Sequence, residues 1–211
     1  DDPIHDQSGQ VVPAPASAYD GTSNTSKTST HGWGTGLQAT LSRPFASRAN
    51  SLIAGGSVDG AGSDYEADTE LARLDDTRGA QGVGILDQDA SVRLKTTVRN
   101  AGLYVAGFFS VTPRLTVSGS ARFTHSSVQL RDQIGDDLNG DHTFTRVNPA
   151  AGATFQLPRS TSAYGSYSVS SRVPTPSELG CADPEDPCRL PNAFVADPPP
   201  AQVVARTIEG G

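Results

Sequence analysis

The chain has 211 residues, a formal net charge of −7 and 35% hydrophobic residues. Ordinary globular domains carry roughly 45–50%, glycine included, so a conventional two-sided core is hard to build from this composition. The acidic balance, with Lys27 and Lys95 as its two lysines, argues against nucleic-acid recognition, and no run of about 18 apolar residues offers a transmembrane helix.

In chain order, residues 1–30 predict a poorly ordered polar loop. They open "DDPIHDQSGQ", with neither the basic nor the apolar region of a signal peptide, which leaves a mature product or a piece of a longer protein as the expectation. A first strand follows, with Trp33, Leu37, Ala39 and Leu41 on one face and Gly34, Gly36, Gln38, Thr40 and Ser42 on the other. Ser51–Asp59 and Tyr65–Arg73 alternate less cleanly, and Val92–Val98 runs on into a strand from Ala101. After the tight turn at Pro113-Arg114 the alternation sharpens. Leu115, Val117, Gly119, Ala121 and Phe123 fall on one face, and Thr116, Ser118, Ser120, Arg122 and Thr124 on the other. Val147, Ala151, Ala153, Phe155 and Leu157 repeat the pattern, and Ala163–Val169 closes it. Glycine and β-branched residues dominate these segments, so helices fit them poorly.

The connections are of two kinds that alternate. "TPR", "LPRS" and the longer "RPFASRAN" are short; residues 1–30, 75–90, 132–143 and 174–204 are long and polar. Amphipathic strands between short and long loops fit an outer-membrane β-barrel, with the apolar face on lipid and the hydroxyl-rich face on a polar lumen. A soluble β-sandwich or secreted solenoid shows the same period of two, and remains the alternative: a secreted β-rich binding or adhesion protein.

Catalytic and metal constellations are weak. No G-x-S-x-G occurs, and His5, His31, His125 and His142 pair with no nucleophile, His125 lying in a strand and His142 in a loop. Asp137, Asn139 and Asp141 have the spacing that opens an EF-hand loop. His142 then stands where glycine is needed and Asn148 where the bidentate Glu belongs, so a solvated acidic loop is expected. The carboxylates Asp59, Asp64, Glu66, Asp68 and Glu70 are expected on a water-facing strand end. Arg122, Arg146 and Arg172 fall on or near the polar faces, where lumen charge pairs are expected.

Residues Leu138 to Gly211 resemble the barrel of TonB-dependent outer-membrane receptors. The resemblance is carried by "FTRVNPAAGATF" before a tight turn, then "SAYGSYSVSSRVPTPSEL" rising to a loop with two cysteines and "LPNAF". It extends upstream to about residue 91 and more loosely over 31–75. It implies an all-β fold of about seven or eight antiparallel strands, a partial barrel over 31–211, with 1–30 as an extracellular loop. It also implies a transporter, not an enzyme, with no cofactor, in the outer membrane of a Gram-negative bacterium. The implied cargo is a scarce bulky solute such as a ferric siderophore, haem, cobalamin or a glycan, captured by the long loops. The implied partners are outer-membrane lipid and TonB, the latter through a plug domain that this sequence lacks. Family members close barrels of about 22 strands. An internal segment is therefore expected, unclosed, with the strands around Trp33 and Thr207 at its edges.

"VPTPSELGCADPEDPCRLPNAF", Val173 to Phe194, is expected to be neither helix nor strand. On the loop that the resemblance places outside the cell, Cys181 and Cys188 are expected to form a disulfide; two free thiols are the alternative. A lone Cys-x6-Cys is a poor metal ligand set.

Overall fold

Among the described residues the period of two is realised as seven antiparallel strands in a single sheet, ordered as in the chain. The computed structural model describes residues 10–11, 19–44, 47–158, 160–180 and 201–211. The strands are β1 (Gly21–Ser42), β2 (Asn50–Leu74), β3 (Ala80–Ser110), β4 (Leu115–Asp132), β5 (Gly140–Gln156), β6 (Ser162–Arg172) and β7 (Val203–Gly210). A five-residue helix, α1 (Pro176–Gly180), stands between β6 and β7. Among the described residues β1 and β7 each pair with one neighbour and not with each other, so the sheet is an unclosed segment of barrel wall. The short turns fall where expected. Thr112 Oγ1 accepts from the amides of Arg114 and Leu115 at 3.1 and 2.9 Å, and Leu157 N–H donates to Thr161 O at 2.8 Å.

Several connections differ from expectation. The segments 51–59 and 65–73 are one strand, β2. Residues 75–90 are not a long loop: β2 runs to Leu74 and β3 resumes at Ala80. The Asp75 carboxylate closes this turn by accepting from Thr77 N, Thr77 Oγ1 and Gly79 N at 2.9, 2.6 and 2.8 Å, with Arg78 in the left-handed region at φ 65°. One side chain thus does what a longer loop was expected to do. Residues 132–143 shrink likewise to a turn over 133–139, where Asp132 caps the amides of Ile134 and Gly135 and Asn139 Oδ1 accepts from Asp132 N. His142 therefore lies in β5, stacked near Phe144, and not in a loop. At the same end of the sheet β1 begins at Gly21, inside the expected 1–30 loop, because its Ser/Thr residues find cross-strand partners such as Thr30–Ser63 and Thr69–Asn24, both 2.8 Å.

The proline-rich segment after β6 also departs from expectation, since it holds α1. Thr175-Pro176-Ser177-Glu178 is a capping box with Pro at the first helical position. Glu178 N–H donates to Thr175 Oγ1 at 3.3 Å, and the Glu178 carboxylate accepts from Thr175 N at 2.6 Å.

Each face of the sheet changes character partway along the strands. The outer face carries an apolar band, with the register row Leu37–Gly56–Leu103–Phe123–Val147 running across five strands. Further toward the β2–β3 turn the same face is charged, as in the row Ser29–Asp64–Lys95–Arg131. The inner face does the reverse. Behind the apolar band it holds Gln38–Gly55–Tyr104–Arg122–Asn148, and beyond it Ala61–Val98–Val128–His142. The core sits on that apolar part of the inner face: Ala67, Val92, Leu94, Val128 and Leu130, covered by Leu179 of α1. Val128 and Leu130 are each 1% exposed, and burial of this kind is worth about 1.5–3 kcal/mol per side chain.

Candidate functional site

The apolar band is exposed along its whole width. Leu37, Leu103 and Ile208 are 82, 65 and 83% open, with Trp33, Leu41, Leu52, Val58, Phe123, Val147 and Phe155 beside them on the same face. A contiguous apolar surface of this kind is not one that water leaves uncovered, and it fits the lipid-facing band of a membrane barrel. Among the described residues no helix is long and apolar enough to cross a membrane, which says nothing of crossing by strands. The band's upper edge steps down across the register: Ala101 pairs with His125, and Val169 with Arg206. Tilted strands require such a stagger, because hydrogen-bonded rows then run oblique to the membrane plane. β2 and β3, at 25 and 31 residues, far exceed the roughly 9–11 that span hydrocarbon. Their excess forms a wall beyond the band. There the outer face meets water and the inner face carries the apolar core, which accounts for the inversion.

Behind the band, the inner face assembles a polar site from strands β1 to β6. Tyr104 of β3 lies over Gly55 of β2, and its hydroxyl donates to Gln38 Oε1 of β1 at 2.7 Å. Gly55 is what makes room: a Cβ there would fall 2.5 Å from the Tyr104 hydroxyl and 2.7 Å from Leu37 O. The Arg122 guanidinium of β4 stands over the Tyr104 ring at 5.9 Å, a cation–π distance. Gly102 leaves the space that Arg122 uses, since a Cβ there would lie 3.0 Å from Nη2. On β5, Asn148 Nδ2 donates to Ser171 Oγ at 3.0 Å, while Asn148 Oδ1 and Arg146 Nε are buried with no partner among the described residues. Asp59, a carboxylate of this face, accepts from Asn100 Nδ2 at 2.7 Å. The site thus offers two guanidiniums, a phenol and amides, with the Asp59 carboxylate of the same face already bonded to Asn100, an arrangement suited to anionic or carbonyl-rich groups.

The wall beyond the band is held by ion pairs. Arg93 grips both oxygens of Asp68 at 2.8 Å, Arg131 those of Asp141 at 2.9 Å, and Lys95 approaches Asp64 at 3.8 Å. Arg131 hydrogen bonds hold the Asp141 carboxyl below its ordinary value. Arg172 binds Glu178 at 2.8 Å through both its terminal nitrogens, and this, with the Thr175 amide, holds the Glu178 carboxyl down from 4.5 to about 2.

Of the expected lumen arginines, Arg122 and Arg146 lie together on the inner face, whereas Arg172 is taken by Glu178 at the rim. Asp64 and Asp68 pair with cations, and Glu70 accepts from Gly84 N at 2.5 Å across the β2–β3 hairpin. Asn139 and Asp141 are spent on the β4–β5 turn and on Arg131. Cys181 and Cys188 lie outside the described residues. The Gln38–Tyr104 link was not foreseen, because it depends on register across an intervening strand. The switch of apolar residues from odd positions at 115–123 to even positions at Val128 and Leu130 was its legible counterpart.

No curated protein matches this sequence. The family model described as TonB dependent receptor-like, beta-barrel matches residues 5–202, nearly the whole chain. With its open antiparallel sheet, exposed apolar band and polar inner face, the chain belongs to that family of Gram-negative outer-membrane receptors and transporters.

Proposed function

We propose that the segment forms part of the wall of a receptor that takes up a scarce, bulky solute of the ferric siderophore, haem, cobalamin or glycan class. The observation that carries this is the pairing of an exposed apolar band with a polar inner face whose Arg122 and Arg146 guanidiniums have no carboxylate partner among the described residues. Lipid covers the band, and the inner face lines a lumen in which Arg122 and Arg146 meet carboxylates of a plug domain or of the solute. TonB, acting through that plug, couples uptake to the proton-motive force. Capture falls to the connections at the wall's far end: the Asp75–Gly79 turn, the 133–139 turn and the 174–202 segment. In this proposal a Cys181–Cys188 disulfide stiffens the last of these.

The experiment is uptake by cells whose sole TonB-dependent receptor is the full-length protein. Labelled ferric siderophores, haem, cobalamin and oligosaccharides are offered under limitation. One class should accumulate, and accumulation should stop with a protonophore. Accumulation of none, with the receptor present in the outer membrane, or accumulation indifferent to the protonophore, refutes the proposal.

A further inference from the structure

The outer face contains a groove within the apolar band. Leu37, Gly56, Val58, Ala101, Leu103 and Phe123 line a shallow cavity of about 640 Å³. Gly56 lets its row neighbour Leu103 lean across it, a Cβ there falling 2.9 Å from Leu103 Cδ2, and the slot runs beside that side chain between Leu37 and Phe123. The groove stops at the polar edge of the band, where the next outward row reads Trp33–Gly60–Arg99. The indole of Trp33 lies flat over Gly60, since a Cβ there would sit 3.1 Å from the ring. Arg99 is two residues from Ala101, about 7 Å along the strand.

Arg99 differs from the cations beyond it. Arg93, Lys95 and Arg131 each face a carboxylate, Asp68, Asp64 and Asp141 respectively. Among the described residues Arg99 has no such partner. His125, beside it on β4, is tied through Nδ1 to Thr145 Oγ1 at 3.0 Å, and the outer-face rows flanking Arg99 hold no carboxylate before Asp141. An apolar slot thus ends at an exposed, unneutralised guanidinium, with an indole at the same level.

We infer that this groove binds one phosphorylated, acylated lipid of the surrounding membrane, its acyl chain in the groove and its phosphate on Arg99. A guanidinium forks onto two phosphate oxygens, and at the hydrocarbon edge that bond is screened little by water. Trp33 marks the headgroup level, where tryptophan is enriched in membrane proteins. The inference rests on the outer-membrane reading of the band and adds a site of defined lipid chemistry to it.

The test uses the full-length receptor in neutral detergent, with native mass spectrometry of lipid retained after equal additions of phosphatidic acid and phosphatidylcholine bearing the same acyl chains. Phosphatidic acid should be retained about tenfold better, the value of roughly one charge-assisted pair. Arg99→Gln should abolish that preference. Ala101→Phe, which adds a ring to the groove from an outward-facing position, should lower retention of both lipids. Lys27→Gln, another exposed cation on the same face but far from the groove, should change nothing. Equal retention of the two lipids, or a preference that survives Arg99→Gln, overturns the site. Displacement of phosphatidic acid by inorganic phosphate at equal concentration assigns Arg99 to a free anion and overturns the lipid. A receptor that stays monodisperse without detergent and retains neither lipid overturns the membrane reading itself.

Discussion

The Tyr104 hydroxyl donates to Gln38 Oε1 at 2.7 Å, tying β3 to β1 across the intervening strand at Gly55. The link exists because Gly55 has no side chain, so Gly55→Ala should displace both the phenol and the strand behind it. Overpacking of this kind costs about 1–3 kcal/mol, and Tyr104→Phe alone about 1. Gly119→Ala is the control, with nothing within 4 Å of its added Cβ. Urea unfolding of the full-length receptor should rank Gly55→Ala least stable and Gly119→Ala near the parent. Equal midpoints for the two would remove the link from the account.

The outer assignment of the odd face of β4 predicts a steep asymmetry between neighbours. Val117 shares the apolar face with Phe109 and Ala153, whereas Ser118 faces inward, its hydroxyl 3.4 Å from Gly152 O. Val117→Arg should cost about 2–4 kcal/mol near the bilayer midplane and Ser118→Arg far less. Heat-modifiable mobility of the full-length receptor in outer-membrane fractions reads this directly. Equal assembly of the two variants is incompatible with lipid on that face.

Much of the fold was legible because period two is a local property. The alternation over Leu115–Phe123 placed β4, and "TPR" placed its turn. What stayed hidden was decided at longer range. The Ser/Thr-rich stretch from Gly21 reads as loop, and becomes strand because β2 offers it a partner along its length. The 75–90 region reads as loop because its glycines and carboxylates are loop-like, yet Asp75 closes the turn in five residues. In the candidate site, Arg122 and Arg146 were visible as polar-face cations. Gln38 and Tyr104 were not, since only the register reveals that they meet. The face inversion is also a matter of register: Val128 and Leu130 stand at even positions, and the outer band ends where they begin.

The rim should respond to acid. Arg172 holds the Glu178 carboxyl from 4.5 down to about 2. A depressed carboxylate pKa means stability that is present above the unfolded value and lost as pH falls toward the folded one. The capping box and the docking of Leu179 should therefore hold above about pH 4.5 and loosen progressively between there and about pH 2. The Leu179 amide, which donates to Thr175 O at 3.1 Å, is the reporter. Its hydrogen exchange, corrected for intrinsic pH dependence, should rise over that window, and Arg172→Ala should move the rise to higher pH. Exchange independent of both would mean that the ion pair does not hold α1 in place.

α1 ends at Gly180, anchored by Leu179 at 6% exposure and by the Arg172–Glu178 pair, so Cys181 follows directly on a docked element. Cys188 is seven positions on, with Pro184 and Pro187 between them. That spacing allows the α-carbons to approach within the roughly 4.4–6.8 Å a disulfide needs. A ring this short constrains few unfolded conformations, so its effect should be local. Replacing both cysteines by serine should leave the receptor assembled, with an unchanged unfolding midpoint, while solute affinity falls through loosening of the 174–202 segment. Mass spectrometry of alkylated protein from the cell surface decides the first step. Alkylation of both thiols without prior reduction shows that the bond does not form, and a Cys→Ser receptor with unaltered affinity shows that the bond, if formed, does not shape capture.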